Sequence, residues 1–181
     1  MRRWTLVAVV AVVGTLAGCT SQSFDPTTVP TEAAAPYLCD GVPTTGLEAL
    51  TGDDHLEASD DPAGTWGKDF LCEARDGSST KATVSSLDVT SRGGGSVDDR
   101  IAELKSAPGA VVVVGSASGA GYVLPSGDQP HATWVCADGR VTEVRLFSSS
   151  DDDRLVEGLS RYLISVLPWG CGDATPPAAT A

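Results

Sequence analysis

Four of the five cysteines constrain this chain more than any other feature: Cys39, Cys72, Cys136 and Cys171. None belongs to a C-x-x-C pair and no histidine lies close to one. In an exported protein such an even set reads as disulfides rather than metal ligands. Four cysteines allow three pairings. Spacing favours Cys39–Cys72 and Cys136–Cys171, because each closes a loop of comparable length on one half of the chain. In the chain-entropy account each bridge contributes roughly 3–4 kcal/mol.

Export is written at the start of the chain. Arg2 and Arg3 are the only charges there, an apolar run from Leu6 to Val13 follows, and small residues lead to Leu16-Ala17-Gly18-Cys19. A charged start, a short apolar centre and small residues at the cut describe a secretory signal. The apolar stretch is about a dozen residues long, against the roughly 20 that a spanning helix needs. The Arg-Arg pair lacks the rest of a twin-arginine pattern, so the general export route is expected. Residues 1–18 are therefore expected to be removed.

Leu16-Ala17-Gly18-Cys19 resembles the lipobox of bacterial lipoproteins. The resemblance implies diacylglyceryl transfer to the Cys19 sulfur and cleavage before it. Two acyl chains on one residue suffice for stable anchoring, since each buried methylene contributes about 0.8 kcal/mol. The expected location is the extracytoplasmic face of the cell membrane, with the membrane itself as the first partner through Cys19.

Loss of Arg2 and Arg3 takes the formal charge from −12 to −14. Such a surface repels phosphate backbones, which argues against nucleic acid as a partner. Basic partners and divalent cations at a wall or membrane surface remain compatible with it.

Composition divides the rest. Residues 19–36 are rich in Ser, Thr, Pro and Ala and read as a semi-extended linker that holds the domain off the lipid surface. Residues 172–181 have the same character and are expected to be disordered. Residues 37–171 form the domain. Thr45-Gly46-Leu47-Glu48 has capping-box spacing, and Gly52 ends that short helix. Residues 53–64 read as an acidic loop. Trp66–Glu73 and Ala82–Thr90 read as strands joined over Asp76-Gly77. Gly93-Gly94-Gly95 breaks the chain before a helix that opens at Ser96-Val97-Asp98-Asp99. The unbroken valines of Ala110–Val114 read as a buried strand. Tyr122–Leu124 is a short strand, and His131–Cys136 and Val141–Phe147 form a hairpin over Asp138-Gly139. The last helix opens at Asp151–Asp153. It carries Leu155, Leu159, Tyr162, Leu163, Val166 and Leu167 on one face, and Pro168 and Gly170 end it.

Two segments share an order. A strand with Trp and Cys, an Asp-Gly turn, a second strand and an Asp-Asp-Arg helix start occur around Trp66–Glu103 and again around Trp134–Glu157. The expected fold is therefore α+β, an antiparallel sheet of about five to six strands with two to three helices on one face and two disulfides, built from two strand–strand–helix units. A body of about 135 residues can bury near two-thirds of its unfolded surface. The whole pattern of lipobox, Thr/Pro linker, cysteine before a short helix and compact α+β domain is similar to small exported lipoproteins of actinobacteria. That likeness implies an envelope location and no particular chemistry.

Catalytic signals are weak throughout, and the chain is not expected to be an enzyme or to need a cofactor or metal. His55, in Asp53-Asp54-His55-Leu56-Glu57, has carboxylate neighbours that suit a metal or a raised histidine pKa, but the loop reads as solvated. His131 follows Pro130 with no nucleophile at a telling spacing. The Asp runs at 53–54, 60–61 and 151–153 lack the alternating spacing of a calcium loop. Residues 111–121 fail as a dinucleotide or phosphate-binding loop: the glycines do not fit G-x-G-x-x-G, a strand follows where a helix is needed, and the lysine is missing. Ala117 stands where a nucleophile elbow needs serine. The small-residue loop of Gly115, Ser116, Ser118, Gly119 and Gly121 with Tyr122 is the expected contact region, because functional contacts concentrate on loops. Trp66, Trp134 and Trp169 form either an aromatic binding surface or core packing beside the disulfides. The function read from this sequence is a non-enzymatic envelope module that binds another envelope protein. The alternatives are a small apolar-ligand carrier with its cavity under the last helix, and a wall-acting hydrolase.

Overall fold

The structure is a computed structural model that describes residues 24–59, 64–92, 95–125, 128–147 and 154–180. The leader, Cys19, Asp60-Asp61, Gly93-Gly94 and Asp151–Asp153 lie outside the described residues. The elements are β1 (Tyr37–Cys39), β2 (Val42–Pro43), α1 (Thr44–Thr51), β3 (Glu57–Ala58), β4 (Asp69–Asp76), β5 (Ser79–Asp88), α2 (Val97–Ser106), β6 (Val111–Val113), β7 (Gly119–Leu124), β8 (His131–Cys136), β9 (Arg140–Leu146) and α3 (Arg154–Gly170).

The class is α+β, as the sequence pattern indicates. Seven strands in the order β3-β4-β5-β9-β8-β7-β6 form one antiparallel sheet, and β1-β2 form a separate small ribbon. The expected count of strands falls short because β3 is only two residues long. The two long hairpins meet through their second strands, with Val84 opposite Val144.

Strand alternation decides where each helix sits. Phe70, Cys72, Ala74, Ala82, Val84, Val144, Leu146, Ala132, Trp134 and Val123 share one core with Leu47, Leu50, Leu155, Leu159, Tyr162, Leu163 and Val166. So α1 and α3 cover one face. Val135, Val141 and Tyr122, offset by one residue, point the other way and pack with Leu104 of α2. The expectation of helices on one face is therefore corrected: α2 lies on the opposite face from α3. The strand–strand–helix order recurs in the chain without recurring in the packing.

Helix α3 carries the largest share of the core. Leu159, Tyr162, Leu163 and Val166 are fully buried, and each large apolar side chain so buried contributes roughly 1.5–3 kcal/mol. The Tyr162 hydroxyl donates to Pro43 O at 3.3 Å, and burial pushes its pKa well up. Pro168 sits inside the last turn of α3, which runs on to Gly170. Helix α2 has the predicted start: the Ser96 side chain accepts from Asp99 N and the Asp99 carboxylate accepts from Ser96 N. Helix α1 does not. Its N-cap is Pro43, with no side-chain cap, while Gly52 ends it in the left-handed region as expected.

Four further expectations change. The valine run is an edge strand, with Val112 65% and Val114 86% exposed; only Val113 turns into the core. Strand β4 begins at Asp69, leaving Trp66 in the turn before it. The linker is docked along part of its length: Phe24 packs on the core, Val29 is fully buried and its carbonyl accepts from Arg161 Nε at 2.6 Å. The tail, expected to be disordered, lies along β1. Gly41 N donates to Pro177 O at 2.7 Å and Thr180 N to Tyr37 O at 2.9 Å.

Both disulfides are formed in the favoured pairing. Cys39–Cys72 joins β1 to β4, and Cys136–Cys171 joins the end of β8 to the residue after α3. They bring the small ribbon, the sheet end and the chain's last segment to one edge of the body. Among the described residues no helix is long and apolar enough to cross a membrane.

Candidate functional site

The three tryptophans of the domain do two different jobs. Trp134, 2% exposed on β8, lies against glycines. A Cβ placed at Gly115 would meet its ring at 2.8 Å, one at Gly119 its Nε1 at 2.9 Å, and one at Gly121 would overlap the ring. The indole is a flat plate set into a bed that only glycines leave open. The small-residue segment is thus largely a packing surface: Gly119 and Gly121 belong to β7, and Tyr122 is buried. Ser116, Ala117 and Ser118 remain in the turn before it. They line a surface cleft of about 420 Å³ with Thr31, Ile164 and Leu167.

Trp66 and Trp169 come together elsewhere, at the edge drawn in by the disulfides. Trp66 stacks on Phe70 with centroids 4.2 Å apart and meets Trp169 edge-on at 6.3 Å. Its Nε1 donates to Asp40 O at 2.7 Å, which holds the ring upright over the β1–β2 turn. With Arg140, Asp40, Asp173 and Pro176 they line a cleft of about 360 Å³, within the size range of small-ligand pockets. Trp169 is 7% exposed, and its Nε1 is buried with no acceptor.

Arg140 is the fixed charge of this cleft. Its Nε donates to Asp138 Oδ2 at 2.7 Å, its Nη1 to Gly172 O and its Nη2 to Cys171 O, both at 2.9 Å. That hydrogen bond to Arg140 holds the Asp138 carboxyl below the usual range. The guanidinium is spent on structure, so the open part of the cleft is aromatic walls with carboxylates at the rim. Sequence reasoning offered all three tryptophans as either an aromatic binding surface or core packing beside the disulfides, and missed Arg140, Asp40 and Pro176. The signals were an Asp-Gly turn followed by Arg and a Pro-Pro pair just past the last cysteine.

The titratable residues singled out in the sequence sit elsewhere. His55 and Asp54 are exposed neighbours, 3.7 Å apart. The His131 Nδ1 lies 3.1 Å from Gln129 O. Neither histidine lines either cleft. Among the described residues no group of three His, Cys, Asp or Glu could hold a metal. Glu143, 3% exposed on the α2 side of the sheet, accepts from Arg145 Nη2 at 2.8 Å and Thr133 Oγ1 at 3.2 Å. This is a buried carboxylate whose oxygens are met by hydrogen-bond donors.

Compared with protein-family models, with curated proteins and with solved structures, the chain matches none.

Proposed function

We propose that this chain is a lipid-anchored lipoprotein of the extracytoplasmic membrane face that works by binding rather than by catalysis, and that it binds at the Trp66–Trp169 cleft. The observation that carries the binding reading is the cleft itself, with stacked aromatic walls and a buried, unmet N–H between two disulfides. Aromatic groups with a polar handle are the side chains that recognition surfaces favour. The anchoring reading is supported by the leader, the lipobox-like Cys19 and paired cysteines that suit an oxidising compartment.

The space between α3 and the sheet is filled by Leu159, Leu163, Val166, Val144 and Trp134. A small apolar ligand would therefore use the aromatic cleft rather than a cavity under the helix. Hydrolysis would need an activated nucleophile or converging acids at a cleft. The cleft carboxylates Asp40 and Asp173 are exposed at its rim, and Asp40 already accepts from Ala179 N at 2.8 Å.

The test has two arms. Mass spectrometry of the membrane fraction should find the mature chain beginning at a diacylated Cys19, and Cys19→Ser should move it to the soluble fraction. An unmodified chain retaining residues 1–18 in the cytosol would refute the anchor. For the cleft, crosslinking from a photoreactive residue placed at Thr65 in intact cells should capture an envelope component. Identical recovery with the probe placed at Asp54, on the exposed acidic loop, would refute it.

A further inference from the structure

We infer that the Trp66–Trp169 cleft, together with the seat along Tyr37–Gly41 that borders it, is a docking groove for an extended, proline-bearing peptide segment of a partner, and that the chain's own Asp173–Thr180 takes that seat, as one wall of the cleft, when the partner is absent. This rests on the binding reading above and names its ligand class.

The tail shows how such a segment lies. Pro176 and Pro177 are half-buried, whereas Ala174, Thr175 and Ala178–Thr180 are exposed. The groove therefore takes up the prolines and leaves their neighbours in solvent. The rest is held by hydrogen bonds that run in both directions, among them Ala179 N donating to Asp40 Oδ1 at 2.8 Å. Gly41 N donates to Pro177 O at 2.7 Å, Thr180 N donates to Tyr37 O, and Tyr37 N donates to Thr180 Oγ1 at 2.6 Å. A proline has a free carbonyl and no N–H, and Pro177 gives that carbonyl to Gly41 N beside the aromatic rings, while the residues after it can both donate and accept.

Gly41 makes the approach possible. Its φ is +73°, and a Cβ there would lie 2.5 Å from Trp169 Nε1 and 2.9 Å from Pro176 Cβ. The glycine, the indole N–H and the proline meet at one point.

The tail is an incomplete match for this groove. Trp169 Nε1 is buried beneath it without an acceptor, and a buried donor left unmet weakens the fit. A partner segment that sets a carbonyl against that N–H fits better than the tail does. Competition requires such an advantage, because a tethered occupant has an effective concentration on the order of millimolar. The rim carries Asp40, so the favoured segment is neutral or basic.

The experiment uses the full-length chain with Cys19→Ser to keep it in solution, and a fluorescently labelled synthetic peptide of residues 174–180 read by anisotropy. A second chain carries Pro176→Gly and Pro177→Gly, which weakens the tail without removing it. This chain should bind the peptide saturably, and the chain with its own prolines at least tenfold more weakly. Unlabelled peptide should displace the label, and the same peptide with both prolines replaced by glycine should not. Hydrogen exchange at the Gly41 amide should be slow with the native tail, fast in the Pro→Gly chain and slow again with peptide. Equal binding by both chains, displacement by the glycine peptide, or slow exchange at Gly41 regardless of the tail would overturn the inference. So would a wall oligosaccharide that protects Gly41 where the peptide does not, an outcome that keeps the binding reading. A chain found unlipidated in the cytosol would refute the anchor without touching this result.

Discussion

Arg140, at the first position of β9, is bonded through both terminal nitrogens to the backbone of the chain's last segment, at Cys171 O and Gly172 O. One side chain thus fastens the sheet, the second disulfide and the start of the tail together. Arg140→Ala removes a fork of two charge-assisted bonds from a side chain that is 20% exposed. A loss of about 2–3 kcal/mol is expected in urea denaturation. Arg140→Lys keeps the charge and loses the fork, so it should recover less than half of that.

The glycine bed under Trp134 gives a second expectation. Gly121→Ala puts a methyl group of β7 into the indole ring on the neighbouring strand β8. Overpacking of this kind costs about 1–3 kcal/mol, and the Trp134 fluorescence should shift as the ring is displaced. The same change at Gly52, whose Cβ position is open, should leave that fluorescence unaltered.

The disulfides span sequence separations of 33 and 35 residues. Loop closure of that length is worth roughly 3–4 kcal/mol each. Replacing Cys39 and Cys72 together by serine should lower the urea midpoint by a corresponding amount. Replacing Cys136 and Cys171 should do the same and also speed amide exchange at Gly41, because the tail departs from Cys171.

Acid should weaken the fold through two carboxylates. The Ser96 backbone and side-chain bonds lower the Asp99 pKa, and the Arg140 bond lowers that of Asp138. Each folded-state value lies below the unfolded one, so the contribution is complete above the ordinary carboxylate range. It is lost as pH falls from about 4 through the lowered values. Urea midpoints measured between pH 7 and pH 3 should fall only at the acid end. Asp99→Asn should flatten part of that fall; an unchanged slope would show that the capping box does not titrate with the fold.

The sequence was most readable where one physical signal decides the outcome. Helix α3 follows from its apolar period, the two hairpins from Asp-Gly turns, and α2 from Ser96 with the acidic residues after it; the capping box expected at α1 is absent there and present at α2. The valine run misled because unbroken apolar sequence does not tell a central strand from an edge. The glycine segment misled because the small side chains that make a loop mobile also let a strand lie flush against an indole. The tail and linker misled because composition is silent about backbone hydrogen bonds: Pro177 gives up its carbonyl to Gly41 whatever its neighbours' polarity. The aromatic cleft joins residues about a hundred positions apart, and only the docking of α3, with the disulfides and Arg140, brings them into contact.

The packing of Phe24 on the body beside Gly158 shortens the leash. Cys19 precedes Phe24 by about five residues, which at full stretch reach roughly 17 Å. With acyl chains on Cys19, the globule would hover within two or so screening lengths of the headgroups, rather than roam at the end of an eighteen-residue cord. Its latitude would be that of a short-stemmed float, and only ligands that come down to the bilayer would meet it.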